Sequence, residues 1–320
     1  MSISTHIKIK KMKIRFVFAV LLFIVLDFQG YGQQDPQYTQ YMYNMNIVNP
    51  AYAGSRGTLS INALGRIQWV SIEGAPKTIT LGVNAPVAKN LGIGLSAISD
   101  KLGPVNEQNI YADFSYTLRT SEEGHLAFGL KGGVTLFDVG LLSIFLPQTF
   151  KGDDVAFQDN INKVFPNFGA GAYYYTDKFY VGLSMPNMLK SKHLEKEDGT
   201  FTSASEKMHV FFTSGYVFQV SENTKLKPSV MAKAVAGAPL SVDVSANALF
   251  NERLELGLNY RLDDSLGALV NFGVTDELRI GFAYDYTMSN LGKYNDGTYE
   301  VFVLWDIDFS SKNLKSPRFF

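Results

Sequence analysis

The chain contains no cysteine among its 320 residues, and this absence excludes several kinds of chemistry. Without thiols there is no structural disulfide, no thiolate metal site, no cysteine nucleophile and no lipid anchor on a cysteine. Histidine is also scarce. Beyond the N-terminal segment only His125, His193 and His209 remain, and they lie far apart without the spacing of metal ligands. We therefore expect no metal and no other cofactor.

The usual catalytic motifs are missing as well. The sequence has no Gly-x-Ser-x-Gly elbow and no phosphate-binding loop. Four carboxylates on strand positions predicted to face inward are the candidates for an acid pair: Asp113, Asp243, Asp306 and Asp308. Because no catalytic motif accompanies them, we expect no enzyme. The formal net charge is −1 without a basic patch, and no nucleic-acid partner is expected.

No apolar run approaches the length of about 20 residues that a transmembrane helix needs. The longest run, residues 16–26, follows five positive charges within residues 8–15 and precedes the small residues of Gly30-Tyr31-Gly32. These features predict a secretory signal peptide over residues 1–32, cleaved between Gly32 and Gln33. Met12 is an alternative start of the protein, and an uncleaved anchor is the alternative interpretation of the run.

What the chain does have is a repeated alternation of apolar and polar or small residues. Leu278, Ile280 and Phe282 alternate with Arg279 and Gly281, which is typical of a strand with one apolar face. We predict fourteen such strands: 59–69, 77–85, 91–99, 108–118, 125–138, 167–175, 179–185, 208–219, 226–235, 241–250, 254–261, 266–275, 278–287 and 299–309.

The predicted links between these strands are sorted by length. Every link after an even-numbered strand is short, whereas the longer links all follow odd-numbered strands: 70–76, 100–107, 139–166, 186–207 and 288–298. Two odd links, 236–240 and 262–265, are short. Short turns on one side and longer loops on the other predict an all-β fold, a transmembrane antiparallel up-and-down β-barrel over residues 59–309 with both termini in the periplasm. A soluble β-sandwich also uses short alternating strands and is the alternative.

The two faces of the predicted strands differ in chemistry. One face carries apolar rows that we expect to meet lipid, such as Ile79, Leu81, Val244, Leu256, Leu258 and Phe282. The other carries polar rows that we expect to line the interior, such as Thr78, Thr80, Asn84, Asp113, Ser115, Asp243, Asn247, Asn259 and Arg261. Several aromatic residues fit girdles at the membrane interfaces: Tyr173, Tyr174, Tyr175, Tyr284, Tyr286 and Trp305.

Residues 33–77 carry a more specific signal than periodicity. They include Asp35-Pro36-Gln37-Tyr38-Thr39-Gln40-Tyr41-Met42, Asn49-Pro50-Ala51-Tyr52-Ala53-Gly54, Arg66-x-Gln68-Trp69 and Gly74-Ala75-Pro76-Lys77. Further on, Gly92-Ile93-Gly94, Asp100-Lys101-Leu102-Gly103-Pro104 and the ending Ser316-Pro317-Arg318-Phe319-Phe320 match as well. In these motifs the chain resembles the PorP/SprF family, outer-membrane proteins of the type IX secretion system in Bacteroidetes. The resemblance covers essentially the whole chain after the signal peptide.

The resemblance implies a function that periodicity does not give. Members of the family are implied in the secretion of a specific large protein, of the gliding-adhesin type, and in its attachment at the cell surface. The expected partners are therefore outer-membrane lipid, the secreted cargo protein at the cell surface and components of the periplasmic secretion ring. An outer-membrane channel or transporter for a hydrophobic or small polar solute is the alternative function.

Four segments are the candidates for binding those partners. Residues 33–58 form either a plug inside the barrel or a periplasmic collar, with Tyr38, Tyr41, Tyr43 and Tyr52 as contacts. The two longest predicted outer loops are candidates for touching cargo, through Phe145, Phe150 and Phe157 in the first and Lys192 and Glu195 in the second. The C-terminal tail, residues 310–320, could dock on a periplasmic partner through Arg318 and Phe320, or be read by the machinery that inserts barrels.

Overall fold

The computed structural model describes residues 36–140, 160–189 and 208–308, and they form one antiparallel sheet that closes on itself. The first strand pairs with the last, from Leu59 opposite Ile307 to Ile67 opposite Tyr299. In chain order the strands are β1 (Leu59–Ile67), β2 (Lys77–Ala88), β3 (Leu91–Leu102), β4 (Val105–Arg119), β5 (His125–Val139), β6 (Ile161–Tyr175), β7 (Phe179–Met185), β8 in two pieces (His209–Tyr216 and Phe218–Ser221), β9 (Thr224–Val235), β10 (Ser241–Phe250), β11 (Leu254–Arg261), β12 (Ser265–Gly273), β13 (Leu278–Thr287) and β14 (Thr298–Ile307).

The apolar faces of these strands point outward, as the alternation predicted. Val244, Leu256 and Phe282 are 53%, 46% and 42% exposed, whereas a sandwich would bury them between two sheets. Inward-facing neighbours such as Asp243 and Asn247 are almost completely buried. The prediction of a closed barrel of fourteen antiparallel strands is confirmed, and the sandwich alternative is excluded.

One predicted link and the predicted end of one strand are wrong. The link predicted as a longer loop over residues 100–107 is a two-residue turn, because β3 and β4 stay paired from Leu91 opposite Tyr116 to Leu102 opposite Val105. Polar residues around Asp100 resemble a loop in the sequence, although they continue the strand. β1, predicted to reach residue 69, ends at Ile67 because Trp69 takes a left-handed backbone conformation with φ 50°.

Two aromatic predictions are also wrong, those for Tyr173 and Tyr175. Tyr173 does not lie in an interfacial girdle, because its side chain is fully buried and points into the barrel. Tyr175 lies on the same inward face of β6 and packs on Tyr173 with ring centroids 5.4 Å apart. Tyr286 and Trp305 do point outward, at 60% and 45% exposure. β6 also starts at Ile161 rather than at residue 167, since it pairs with β5 along its whole length despite Pro166.

The links define two ends of the barrel, which we call the turn end and the loop end. The turn end carries the short links after even-numbered strands, such as residues 89–90 and 251–253. The loop end carries the links after odd-numbered strands, including residues 140–160 and 186–208. β4, β5 and β6 have 15 residues each, more than the roughly 9–11 that cross a bilayer, so they extend past the membrane.

Among the described residues, no helix is long and apolar enough to cross a membrane. The predicted signal peptide, residues 1–32, and the tail, residues 310–320, lie outside the described residues.

Candidate functional site

The bore of the barrel contains residues 38–53, here called the inner segment. Every side chain from Tyr38 to Ala53 is buried. The segment forms three short helical turns, Tyr41–Tyr43, α1 (Met45–Val48) and Pro50–Tyr52. The Asn49 side chain accepts the amide hydrogen of Ala51 at 3.0 Å and so starts the third turn, where Pro50 prevents an extension of α1. These interruptions keep each helical turn short, so the segment follows an irregular path through the narrow bore.

At the loop end the inner segment is held by two buried carboxylates. Glu300 accepts hydrogen bonds from the backbone amides of Thr39 at 3.0 Å and Gln40 at 2.7 Å, and the Thr39 hydroxyl donates to Asp285 at 2.5 Å. Arg66 lies between the two acids, with an N···O distance of 3.0 Å to each. One guanidinium neutralises only one of the two charges, so the amides and the hydroxyl of the segment supply the remaining donors.

At the turn end the chain leaves the barrel beside a second ion pair. The Arg56 Nε donates to Asp306 at 2.9 Å, and its Nη2 contacts the other oxygen of the same carboxylate. Ser60 donates to Asp306 at 2.5 Å. Burial alone would lower the pKa of Arg56, but the Asp306 carboxylate outweighs it and raises that pKa above its usual range. The inner segment is therefore fixed at both ends of the barrel by charged groups.

Between these anchors the wall and the inner segment exchange hydrogen bonds. Asn44 donates to Thr80 at 3.1 Å and accepts from Asn62 at 2.7 Å. The Lys131 ammonium donates to the Asn46 carbonyl at 3.2 Å. Polar residues that alternation assigned to the interior thus bind polypeptide, and they satisfy backbone groups that short helical turns leave without partners.

Inward-facing glycines make room for the inner segment. A Cβ atom on Gly92 would lie 2.1 Å from the Ala53 carbonyl oxygen, and one on Gly129 would lie 2.2 Å from the Ala51 nitrogen. A Cβ on Gly171 would lie 2.1 Å from the Asn49 side-chain oxygen. Such distances are far below van der Waals contact, so the segment reaches its position only because these wall residues lack a side chain.

The structure brings the four predicted tyrosines together inside the barrel: Tyr38, Tyr41, Tyr43 and Tyr52. Tyr43 stacks on Phe302 with ring centroids 4.3 Å apart and donates a hydrogen bond to Glu255. Tyr52 packs edge-to-face on Tyr173 at 5.6 Å. These rings contact the wall, and any role in binding another protein stays a prediction.

Little empty space remains at the loop end. A cavity of about 50 Å³ is lined by residues of the inner segment and the wall, among them Tyr38, Val48, Ile98, Phe211, Lys233 and Asp243. A water molecule occupies roughly 30 Å³ in the liquid, so the cavity has room for a few waters at most.

The inward carboxylates do not form an acid pair. Asp113 lies 3.0 Å from Lys131, Asp243 lies 2.7 Å from Arg261, and Asp306 pairs with Arg56. The acid-pair prediction is therefore wrong for these three residues, because each carboxylate is paired with a cation, on an adjacent strand for Asp113 and Asp243 and in the segment before β1 for Asp306. Within residues 36–140, 160–189 and 208–308, no group of three acidic or histidine side chains could hold a metal ion.

The other predicted partner-binding residues fall outside the described residues: Phe145, Phe150, Phe157, Lys192, Glu195, Arg318 and Phe320. Sequence analysis gave no role to Arg66, Asp285 and Glu300, the loop-end anchor, although Arg66 stands in one of the motifs that carry the family resemblance. Arg66 and Glu300 follow the alternation as single polar residues on inward positions. A water-filled lumen has such residues too, so they do not stand out in the sequence. The inward glycines were visible in the sequence, but glycines on strands, such as Gly129 and Gly171, also suit bends of the sheet.

A closed sheet with an apolar outer face, polar inner face and occupied bore defines the chain as an outer-membrane β-barrel protein. A family model described as type IX secretion system membrane protein PorP/SprF matches residues 30–305. The chain belongs to this family.

The solved structures similar to this chain include a transporter and an outer-membrane protein. The toluene transporter TodX of Pseudomonas putida is 10% identical, with 89% of this chain and 100% of that chain covered and a TM-score of 0.50. The outer-membrane protein Omp33 of Acinetobacter baumannii is 8% identical, with 78% and 98% covered and a TM-score of 0.47. At these identities the likeness concerns the fold alone. No curated protein matches the sequence.

Proposed function

We propose that this barrel supports the secretion, the surface attachment, or both, of one specific large secreted protein of the gliding-adhesin type. In this proposal the barrel binds the cargo at its loop end and does not conduct it. The observation that carries the proposal is the occupied bore: the inner segment spans it from one end to the other, and the cavity at the loop end measures about 50 Å³. An extended polypeptide would have to compete with the inner segment for the bore.

The same observation weighs against the alternative, a channel for a hydrophobic or small polar solute. A channel needs a continuous path, whereas the inner segment is bonded to the wall at both ends and between them. Conduction would require the segment to leave, and that would break the hydrogen bonds that Thr39 and Gln40 donate to Asp285 and Glu300. The likeness to TodX concerns the fold and lends this alternative no support.

We place the turn end in the periplasm and the loop end at the cell surface, as short turns and long loops do in such barrels. The links over residues 140–160 and 186–208 then face outward, with Phe145, Phe150, Phe157, Lys192 and Glu195 as cargo contacts. The tail after β14 leaves from the turn end, where Arg318 and Phe320 meet the periplasmic secretion ring. The first described residue, Pro36, lines the loop-end cavity, although we had expected a periplasmic N-terminus.

The inner segment has a structural role in this proposal. Tyr38, Tyr41, Tyr43 and Tyr52 fill the bore as a plug, so they hold the barrel in one shape while the loops bind cargo. Rigid scaffolds that present variable loops are a common basis of specific binding.

The test is a deletion strain complemented with variants that keep the net charge. Exchanging the charges in the loop, Lys192→Glu with Glu195→Lys, should reduce the amount of one large secreted protein on the cells or in the medium. The matched control exchanges charges in a turn, Asp177→Lys with Lys178→Asp, and should leave the secreted proteins unchanged. A deletion strain with an unaltered secreted proteome and a lost uptake of a solute would overturn the proposal.

A further inference from the structure

Two lysines break the apolar pattern on the outer face of the barrel. Outward strand positions in the described residues are apolar, small or uncharged polar, with three exceptions: Lys77 on β2, Lys101 on β3 and Asp138 on β5. Lys77 and Lys101 are the two cations among them, and both side chains are exposed. Cations on a lipid-facing surface are costly unless they reach a polar layer or an anion.

The two lysines stand directly opposite each other in the β2–β3 pair. Side chains at opposite positions are about 5 Å apart at Cβ, and like charges there repel. The ion pairs of the described residues include neither lysine. The adjacent carboxylate, Asp100, points to the inner face and accepts a hydrogen bond from Thr78 at 2.6 Å. The nearest outward carboxylate, Asp138, lies opposite Asn106 and is therefore separated from Lys101 by one strand. The repulsion between the two ammonium groups is thus not balanced by a carboxylate directly opposite either lysine.

Their position along the strands matches the level of lipid headgroups. Toward the membrane, Ile79 follows Lys77 on the same face and is 65% exposed. Away from the membrane, β3 ends one residue after Lys101 at the loop end. Asn106 pairs with Lys101 and offers an amide donor on the same outward face. Two ammonium groups and an amide thus lie where the apolar band gives way to the loop end.

We propose that Lys77 and Lys101 bind a phosphate of a lipid headgroup in the leaflet on the loop side, with Asn106 as a third donor. A single phosphate placed between the ammonium groups removes their repulsion and provides the missing counter-charge. The proposal is independent of any cargo. Where the loop end faces the cell surface, the ligand is a phosphorylated lipid of the outer leaflet.

The experiment measures lipid retention by the purified full chain in neutral detergent. Native mass spectrometry counts adducts after incubation with diphosphoryl lipid A. The double variant Lys77→Gln with Lys101→Gln should weaken binding roughly 25-fold, about 5-fold for each lysine near an anionic surface. The matched control, Lys89→Gln with Lys178→Gln, removes two exposed lysines from the turn end and should bind like the unaltered protein.

Two further measurements test whether the lipid phosphate is the bound anion and whether the glutamine variant loses the lipid because it is misfolded. The variant Lys77→Arg with Lys101→Arg keeps the charges and should retain the lipid. Lipid A without phosphates should bind no better to the unaltered protein than to the glutamine variant. Equal retention by the glutamine variant and the control would overturn the proposal, and so would inorganic phosphate that displaces the lipid at equal concentration. Secreted proteins that stay normal in the glutamine variant would leave the proposed function unaffected.

Discussion

Replacing Gly129 by valine should open the barrel without unfolding it. Gly129 faces the inner segment, and a Cβ there would lie 2.2 Å from the Ala51 nitrogen and 2.4 Å from the Pro50 carbonyl carbon. Both contacts are with backbone, which cannot rotate out of the way as a side chain can. The inner segment must therefore shift by more than an ångström, while the pairing of β5 with its neighbours remains possible because valine favours strands.

The size of the effect follows from the cost of overpacking. Adding methyl groups to a filled interior costs about 1–3 kcal/mol. If this cost is borne by the docked state of the inner segment alone, the population with the segment released rises about 5- to 150-fold. The anchors at Glu300 and Asp306 still favour docking, so the barrel should open in bursts rather than permanently.

Conductance across a planar lipid bilayer measures this directly. The unaltered protein should be nearly silent, and Gly129→Val should show discrete openings. Gly132→Val is the matched control on the same strand, because Gly132 faces outward and its Cβ would meet only Phe168 at 3.9 Å. Both variants should keep the heat-sensitive gel mobility of a folded barrel. If folded Gly129→Val is as silent as Gly132→Val, the inner segment does not close the bore.

Three other changes test separate parts of the structure. Arg66→Met leaves the buried carboxylates of Asp285 and Glu300 without their cation and should destabilise the barrel by about 3 kcal/mol. The loss should lower the temperature at which the folded barrel changes its gel mobility. An unchanged transition temperature would mean that the two acids are hydrated. Leu258→Arg puts a charge on the lipid face and should cost about 2–4 kcal/mol in refolding titrations with phospholipid vesicles, whereas an effect near zero would contradict lipid contact. Because the chain has no native cysteine, Gln37→Cys and Glu222→Cys report orientation: an impermeant maleimide added to intact cells should label the first, and labelling of the second instead would reverse our assignment.

The strands were predictable because the bilayer imposes alternation on them. Predicted and observed bounds agree at 241–250, 254–261 and 278–287, where an apolar row faces lipid without interruption. Prediction failed where the strands leave the membrane. Residues 100–107 and the start of β6 lie beyond the apolar band, so their outward residues need not be apolar and the alternation disappears. Hydrogen bonds between strands continue there, and the sequence carries no sign of them.

The contents of the bore were harder to predict than its wall. A residue such as Asn62 or Thr80 suits a water-filled lumen as well as a filled one, because it bonds equally well to water and to a peptide group. The residues of the segment before β1 suggested a plug or a collar and could not decide between them. Polar residues on the inner face therefore show that the bore is not apolar. They do not show whether the bore is open or filled.

Inward glycines carry the information that polar residues lack. Water tolerates any small or polar side chain on the wall, so an open bore has no need for glycine at particular positions. A polypeptide packed against the wall does need glycine at particular positions. At Gly92, Gly129 and Gly171 the inner segment occupies the space that a Cβ atom would fill. These three lie on different strands, yet each faces a different residue between Asn49 and Ala53. Bending of the sheet would place glycines on either face, whereas a packed segment requires them on the inner face, at the positions along its path. If Gly92→Val and Gly171→Val conduct like Gly129→Val, these three glycines mark the path of the inner segment along the wall.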